Sequence, residues 1–276
     1  MRVPLAGGGQ ETLLSEVGAQ YLLPLFSTRD ACALRLVCRE FLAAVSEQPW
    51  EDGRTVIKGS IAAWRACFPR ACCANVGLHS FTGGEVRTAP VVDADFVHFE
   101  GLRELNVLYC NEVTDAAFVH LRGIHSLEMG GCLHLTDAAL AHLAGIQRLG
   151  MLACLSITDA AFVHLRGIQL LNIMFCTQLM DAAFVHLRGI KTLFMGNCDQ
   201  PAITDAAFVH LRGIRTLGMG YCSQATVTGT TFSSLLDIKA LFLVGCSEGA
   251  IAAARALELP VFLRPGIINA CFPWKL

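Results

Sequence analysis

The chain has 276 residues, 54% of them apolar and only 16% charged, with a formal net charge of −2. That composition calls for a large interior, yet no apolar run reaches the roughly 18 residues of a membrane helix, and no strongly basic cluster offers a site for nucleic acid or an anionic membrane. Size by itself leaves one large domain or two small ones open.

The opening MRVPLAGGG lacks the apolar core of a signal peptide, so an unexported, cytoplasmic or nuclear protein is expected, with residues 1–10 as a disordered lead. The stretch 11–50 carries no repeat. Cap residues and apolar spacing predict helices over 12–26, 28–38 and 39–46, with Leu34, Val37, Phe41 and Leu42 at helical spacing. Residues 51–90 read as a transition: a short strand at Val56 and Ile57, a helix over 60–67, then a stretch containing Gly and Thr.

VVDADFVHFEGL, from residue 91, is a worn copy of DAAFVHLRGI, which recurs letter for letter at 115–124, 159–168, 181–190 and 205–214, and as DAALAHLAGI at 137–146. Thr114 and Asp115 suit a helix N-terminus, Ala117, Phe118 and Leu121 form one apolar stripe, and Gly123 stops the helix. An extended segment follows, with Ile124, Leu127 and Met129 facing inward and Cys132 turning in at its end. The same pattern ends at Cys110, Cys154, Cys176, Cys198, Cys222 and Cys246, in 22-residue steps as far as Cys198 and 24-residue steps after it. One unit cannot bury both its helix stripe and its strand face. Units must therefore stack into a curved α/β array with parallel strands inside and short helices outside. Thr228-Gly229 breaks the Thr-Asp pattern, and 250–276 reads as a C-terminal cap.

The register Ile124-x-x-Leu127-x-Met129-x-x-Cys132, followed by Leu135-Thr136-Asp137, resembles the cysteine-containing leucine-rich repeats. The resemblance runs from about residue 91 to 263 and implies a solenoid of about seven repeats over 91–249, in which Cys replaces an Asn that ties successive turns together. The segment 11–50 resembles an F-box, on Leu22, Leu25 and Phe26, then Asp30, Val37-Cys38-Arg39, Phe41 and a closing Trp50. It departs from that motif at Leu14-Ser15, where Leu-Pro normally opens it, and at Pro24, where the family has helix. The resemblance implies a Skp-type adaptor and a cullin scaffold of a ubiquitin ligase as partners. Leu22, Leu25, Phe26, Leu34, Val37 and Phe41 are then the candidates for the adaptor contact or the helical core. The alternative is a stand-alone binding or inhibitory protein whose N-terminal helices only cap the repeats.

The repeat multiplies residues that invite chemistry. His98, His120, His142, His164, His186 and His210 form a row, but neighbouring helices lie about 8–10 Å apart while zinc ligands sit about 2 Å from the metal, so duplication explains the row better than chelation. Asp115, Asp137, Asp159, Asp181 and Asp205 suit helix N-termini. The 13 cysteines, odd in number and largely periodic, read as reduced thiols, and Cys67, Cys72, Cys73 and His79 match no common zinc spacing. No phosphate loop and no nucleophile elbow appears, so no catalytic residue and no cofactor is expected. The chain reads as a non-enzymatic recognition protein that holds a target protein on its strand face. The expected target site comprises Tyr109, Glu128, Leu152, Met174, Phe175, Phe194, Tyr221 and Phe242, rimmed by Lys191 and Arg215, with Gly130, Gly150 and Gly196 leaving recesses.

Overall fold

The computed structural model describes residues 23–36, 39–77 and 89–264. Nine short strands pair in chain order as one parallel sheet: β1 (Cys73–Asn75), β2 (Glu104–Asn106), β3 (Ser126–Glu128), β4 (Arg148–Gly150), β5 (Leu170–Asn172), β6 (Thr192–Phe194), β7 (Thr216–Gly218), β8 (Ala240–Phe242) and β9 (Val261–Phe262). Leu105, Leu127, Leu149, Leu171, Leu193, Leu217 and Leu241 pair one with the next and are all buried. A slip of one residue would turn this whole ladder towards solvent, so burial fixes the register. Phe96, Phe118, Phe162, Phe184, Phe208 and Phe232 fill the space between the sheet and the outer turns.

Those outer turns are tighter than the expected helices. DAAFVHL forms 3-10 helices at Asp115–Leu121, Asp159–Leu165 and Asp205–Leu211, and an α-turn at Asp181–Phe184 that runs into the 3-10 turn Val185–Leu187. A 3-10 helix rises about 2.0 Å per residue against 1.5 Å for α, so the same seven residues span more of the back of the solenoid. Its three-residue period also lets Phe118 and Leu121 share one buried face. Gly123, at φ +81°, then turns the chain back towards the sheet.

Two ladders lock repeat to repeat. In the first, each cysteine thiol donates to a carbonyl of the preceding repeat: Cys132 to Val107 (3.2 Å), Cys176 to Met151 (3.1 Å), Cys198 to Ile173 (3.1 Å), Cys222 to Met195 (3.1 Å) and Cys246 to Met219 (3.0 Å). Burial pushes the Cys132, Cys176 and Cys222 thiols up to about 12, which keeps them protonated donors. Cys176→Ser should therefore be tolerated, because size and donor survive, whereas Cys176→Leu should cost about 1–3 kcal/mol by overpacking. Urea denaturation of the two variants checks this; a Leu variant as stable as the Ser variant would mean the site has room to spare.

The second ladder adds to the reading of the Asp row: Asp115, Asp137, Asp159, Asp181 and Asp205 each open a helical turn, as expected, and their carboxylates also reach the Thr position of the next repeat. Thr136 N and Oγ1 donate to Asp115, Thr158 to Asp137 and Thr204 to Asp181, with hydroxyl contacts of 2.5–2.6 Å. Desolvation would raise the Asp205 carboxyl, but donors from Thr228, Thr230 and Gly229 outweigh it and hold the group below its ordinary value. The ladder skips once. Met180 stands where Thr belongs and offers Asp159 only its backbone N–H (2.8 Å), and burial, with Asp181 and Asp137 nearby, leaves that carboxyl raised. Met180 is exposed, so Met180→Thr gives up little apolar burial while adding a cap and a hydroxyl donor. We expect it to stabilise the chain by about 1 kcal/mol. An unchanged or lower urea midpoint would show that the clasp carries no stability.

The two longer steps are absorbed outside the strands, where Gln200 Nε2 donates to Cys176 O (3.2 Å) and Leu179 O (2.9 Å), and Gln224 Nε2 to Cys198 O (3.1 Å). At the N-terminal side, helices cover Thr28–Leu34, Arg39–Glu47 and Ile61–Cys67, and Ser27 and Asp30 form a reciprocal cap. The helix expected over 12–26 lies outside the described residues up to 22, and Leu23–Leu25 is a single 3-10 turn. Val56 and Ile57 are not a strand; Ile57 N donates to Asn75 O, and the sheet starts at β1 instead. Trp50 stacks on Phe68 (4.8 Å between rings) and donates to Thr28 Oγ1 (3.0 Å), which joins the helices to the first turn of the sheet.

Candidate functional site

Because Leu127 and Met129 point into the core, Ser126, Glu128 and Gly130 point the other way, onto the concave face of the sheet. This face carries four rows, one residue from each repeat. The first, which sequence spacing did not single out, runs Glu104, Ser126, Arg148, Leu170, Thr192, Thr216, Ala240. Within it Glu104 and Arg148, two strands apart, form an ion pair on either side of the fully buried Ser126.

The second row is Asn106, Glu128, Gly150, Asn172, Phe194, Gly218 and Phe242, the third Leu108, Gly130, Leu152, Met174, Gly196, Gly220 and Val244. Here the expected recesses are filled. A Cβ added to Gly150 would lie 2.1 Å from either Glu128 carboxyl oxygen; one at Gly130 would meet Leu108 at 2.9 Å and Leu152 at 3.1 Å, and one at Gly196 would meet Met174 at 3.2 Å. Phe194 lies in the same way over Gly218 and is only 1% exposed, and Phe242, 2% exposed, stacks on Phe262 at 5.1 Å. Phe194 and Phe242 thus form the floor of the face. Leu152 and Met174 remain half-buried.

The fourth row sits where the strands turn away: Tyr109, Gly131, Ala153, Phe175, Asn197, Tyr221 and Gly245, all at φ between +56° and +71°. A left-handed backbone suits Gly and strains a side chain with a Cβ, so four of these residues hold large or polar groups at a conformational cost. The Tyr109 and Tyr221 rings lie beside Gly131 and Gly245. Phe175 is 44% exposed and Tyr221 49%. Lys191 is half-buried and Arg215 exposed, each stacked on its neighbour through the chain Arg215 N to Lys191 O (2.9 Å) and Lys239 N to Arg215 O (2.8 Å).

Glu128 is the unusual group. It is 8% exposed, its Oε1 has no hydrogen-bond partner, and burial raises its carboxyl from the ordinary 4.5 to about 8. At neutral pH it is therefore held mostly as the neutral acid.

On the N-terminal helices, Leu25 is 80% exposed and Phe26 36%, and both line a cleft of about 510 Å³ shared with Pro49, Trp50 and Asp52. Leu34 and Phe41 are half-buried, and Leu22 and Val37 lie outside the described residues. On the outer surface, His120 pairs with Glu100 (2.6 Å), and no group of His, Cys, Asp or Glu among the described residues is placed to hold a metal ion. No helix among them is long and apolar enough to cross a membrane.

No family model and no curated protein matches the chain. Solved structures match its fold. They include the TLR13–ssRNA13 complex, at TM-score 0.58 and 15% identity over 80% of this chain and 33% of that one, and the Drosophila Toll–Spatzle complex, at 0.53 and 13% over 84% and 36%. Rad7, from the yeast Rad7–Elc1 complex, aligns over 91% of this chain and 93% of its own at 14% identity and TM-score 0.46. The chain spans about a third of the length of the TLR13 and Toll chains. Among the described residues, nine parallel strands in one open sheet, backed by short helical turns and joined by a cysteine ladder, give the chain the fold of an α/β leucine-rich-repeat solenoid.

Proposed function

We propose that the chain is a non-enzymatic recognition subunit that binds a protein target on its concave face and docks, through its N-terminal helices, on a Skp-type adaptor of a cullin ubiquitin ligase. The observation that carries the first half is the contrast between scaffold and face. The outer segments at 159–168, 181–190 and 205–214 are identical, while the residues of the face beside them differ from repeat to repeat, with the half-buried Leu152 and Met174 and the exposed Phe175 on adjacent repeats and the exposed Tyr221 two repeats further on. Large side chains at the centre of a patch with charged residues at its rim are what a protein interface requires. Lys191 and Arg215 at that rim act on association rate and salt dependence more than on affinity.

The second half is supported by Leu25 and Phe26, which the F-box resemblance marks for adaptor contact and which the fold leaves open beside a cleft rather than burying them in the helical core. Co-elution of the full chain with a Skp-type adaptor on gel filtration tests it. Wild-type chain should co-elute and Leu25→Asp with Phe26→Asp should not, with the circular dichroism of both unchanged. Failure of the folded wild type to co-elute would leave the N-terminal helices as a cap, joined to the first strand through Trp50 and Phe68.

A further inference from the structure

We infer that Glu128 is a recognition site for a basic side chain, Lys or Arg, of the protein bound on the concave face; the inference rests on that reading of the face. The scaffold does not ask for an acid at this position. The equivalent residues of the other repeats are Asn106, Gly150, Asn172, Phe194, Gly218 and Phe242, and the same strand forms around each. Nor does anything on the neighbouring strands satisfy the acid. Asn106 and Asn172 each accept through Oδ1 from a backbone N–H two residues on, that of Leu108 (2.9 Å) and Met174 (3.0 Å), and neither amide nitrogen reaches Glu128 Oε1, which has no partner. Glu104 on β2 and Arg148 on β4 are bound to each other. The carboxyl group lies across Gly150 on the concave side with Oε1 unpartnered.

A buried acid without a partner costs stability and calls for an explanation. The surroundings suit the stem and head of a basic side chain. Two residues further along the same face, Leu108 and Leu152 close over Gly130 and offer apolar contact to methylene groups, while the Glu128 carboxyl, with Oε1 unpartnered, offers an uncommitted acid. A cation placed there would favour the ionised carboxylate and form a charge-assisted hydrogen bond in a site largely shielded from water. Because the free site holds a proton at neutral pH, binding would release it and strengthen as pH rises towards 8. The other titratable groups at hand are Glu104, already paired with Arg148, and the buried Cys154 thiol, which stays protonated over this range.

A random dodecapeptide library displayed on phage, selected on the full chain and on its Glu128→Gln and Phe175→Ala variants, tests the inference. Peptides from the wild-type selection should be enriched in Lys or Arg and lost from the Glu128→Gln selection. For one such synthetic peptide, Lys→norleucine should weaken binding to wild type by about tenfold or more and leave binding to Glu128→Gln unchanged. Absence of basic enrichment, or a norleucine penalty equal for both proteins, overturns the site. Peptides that need Phe175 but ignore Glu128 remove this inference and leave the concave-face reading standing. Peptides indifferent to both variants, or no binder to wild type at all, count against both.

Discussion

Urea denaturation of wild type and Glu128→Gln should diverge as pH rises. Burial lifts the Glu128 carboxyl from 4.5 to about 8. Between those values the unfolded chain has lost a proton that the folded chain keeps, so stability falls with increasing pH. Below the lower value both states are protonated and the contribution is complete; above the upper one both are ionised and the loss has run its course. The slope within the window is about 1.4 kcal/mol per pH unit, so the wild type should give up on the order of 3 kcal/mol between pH 4.5 and 7 through this one group. Gln keeps the shape and cannot ionise. Asp159, also raised, and Asp52 and Asp205, both lowered, are common to the two proteins and cancel in the difference. The gap between wild type and variant should thus widen in favour of Gln up to about pH 8 and then stay level. A gap that is constant with pH would mean that Glu128 titrates like an exposed carboxyl and that the concave face admits water there.

The period, the parallel strands and the inward cysteines were legible because each depends on residues close in sequence. Leu127, Met129 and Cys132 fall within one strand and turn, and the Cys thiols do bond to the preceding repeat as the resemblance implied. What escaped was contact between repeats. Thr114 does cap its own turn, accepting from Ala116 N, but the carboxylate of Asp115 also serves Thr136, 21 residues on, which adjacent letters do not show. Gly130, Gly150 and Gly196 look like gaps in a single strand but are occupied from the repeat before. The signal was present in a form that reading one unit at a time does not show. A large residue at one position faces Gly at the same position of the next repeat: Glu128 with Gly150, Phe194 with Gly218, Leu108 with Gly130, Met174 with Gly196, Tyr109 with Gly131 and Tyr221 with Gly245. Close packing then demands that the large side chain lie across the glycine. The Glu104–Arg148 pair, two strands apart, is another case of the same kind.

That interlock separates two phenylalanines that sequence alone treats alike. Phe194 meets Gly218 in the next repeat and lies over it, 1% exposed; Phe175 meets Asn197, finds no glycine to lie across, and remains 44% exposed. Phe194→Ala should therefore empty a packed site and cost about 3–5 kcal/mol, enough to remove a large part of a typical domain's stability. Any loss of binding in that variant would follow from damage to β6 and β7. Phe175→Ala should cost much less, about 1 kcal/mol or below, since Ala keeps the same left-handed backbone and removes a ring that is already nearly half in water. It should nevertheless weaken target capture, by about 2 kcal/mol if the exposed part of the ring is fully covered in the complex. Urea midpoints for the two variants, followed by binding of a target found with the wild-type chain, decide the matter. Equal stabilities would mean that Phe194 does not pack across Gly218. A Phe175→Ala variant that is stable and still captures the target undiminished would move the interface off the fourth row of the concave face.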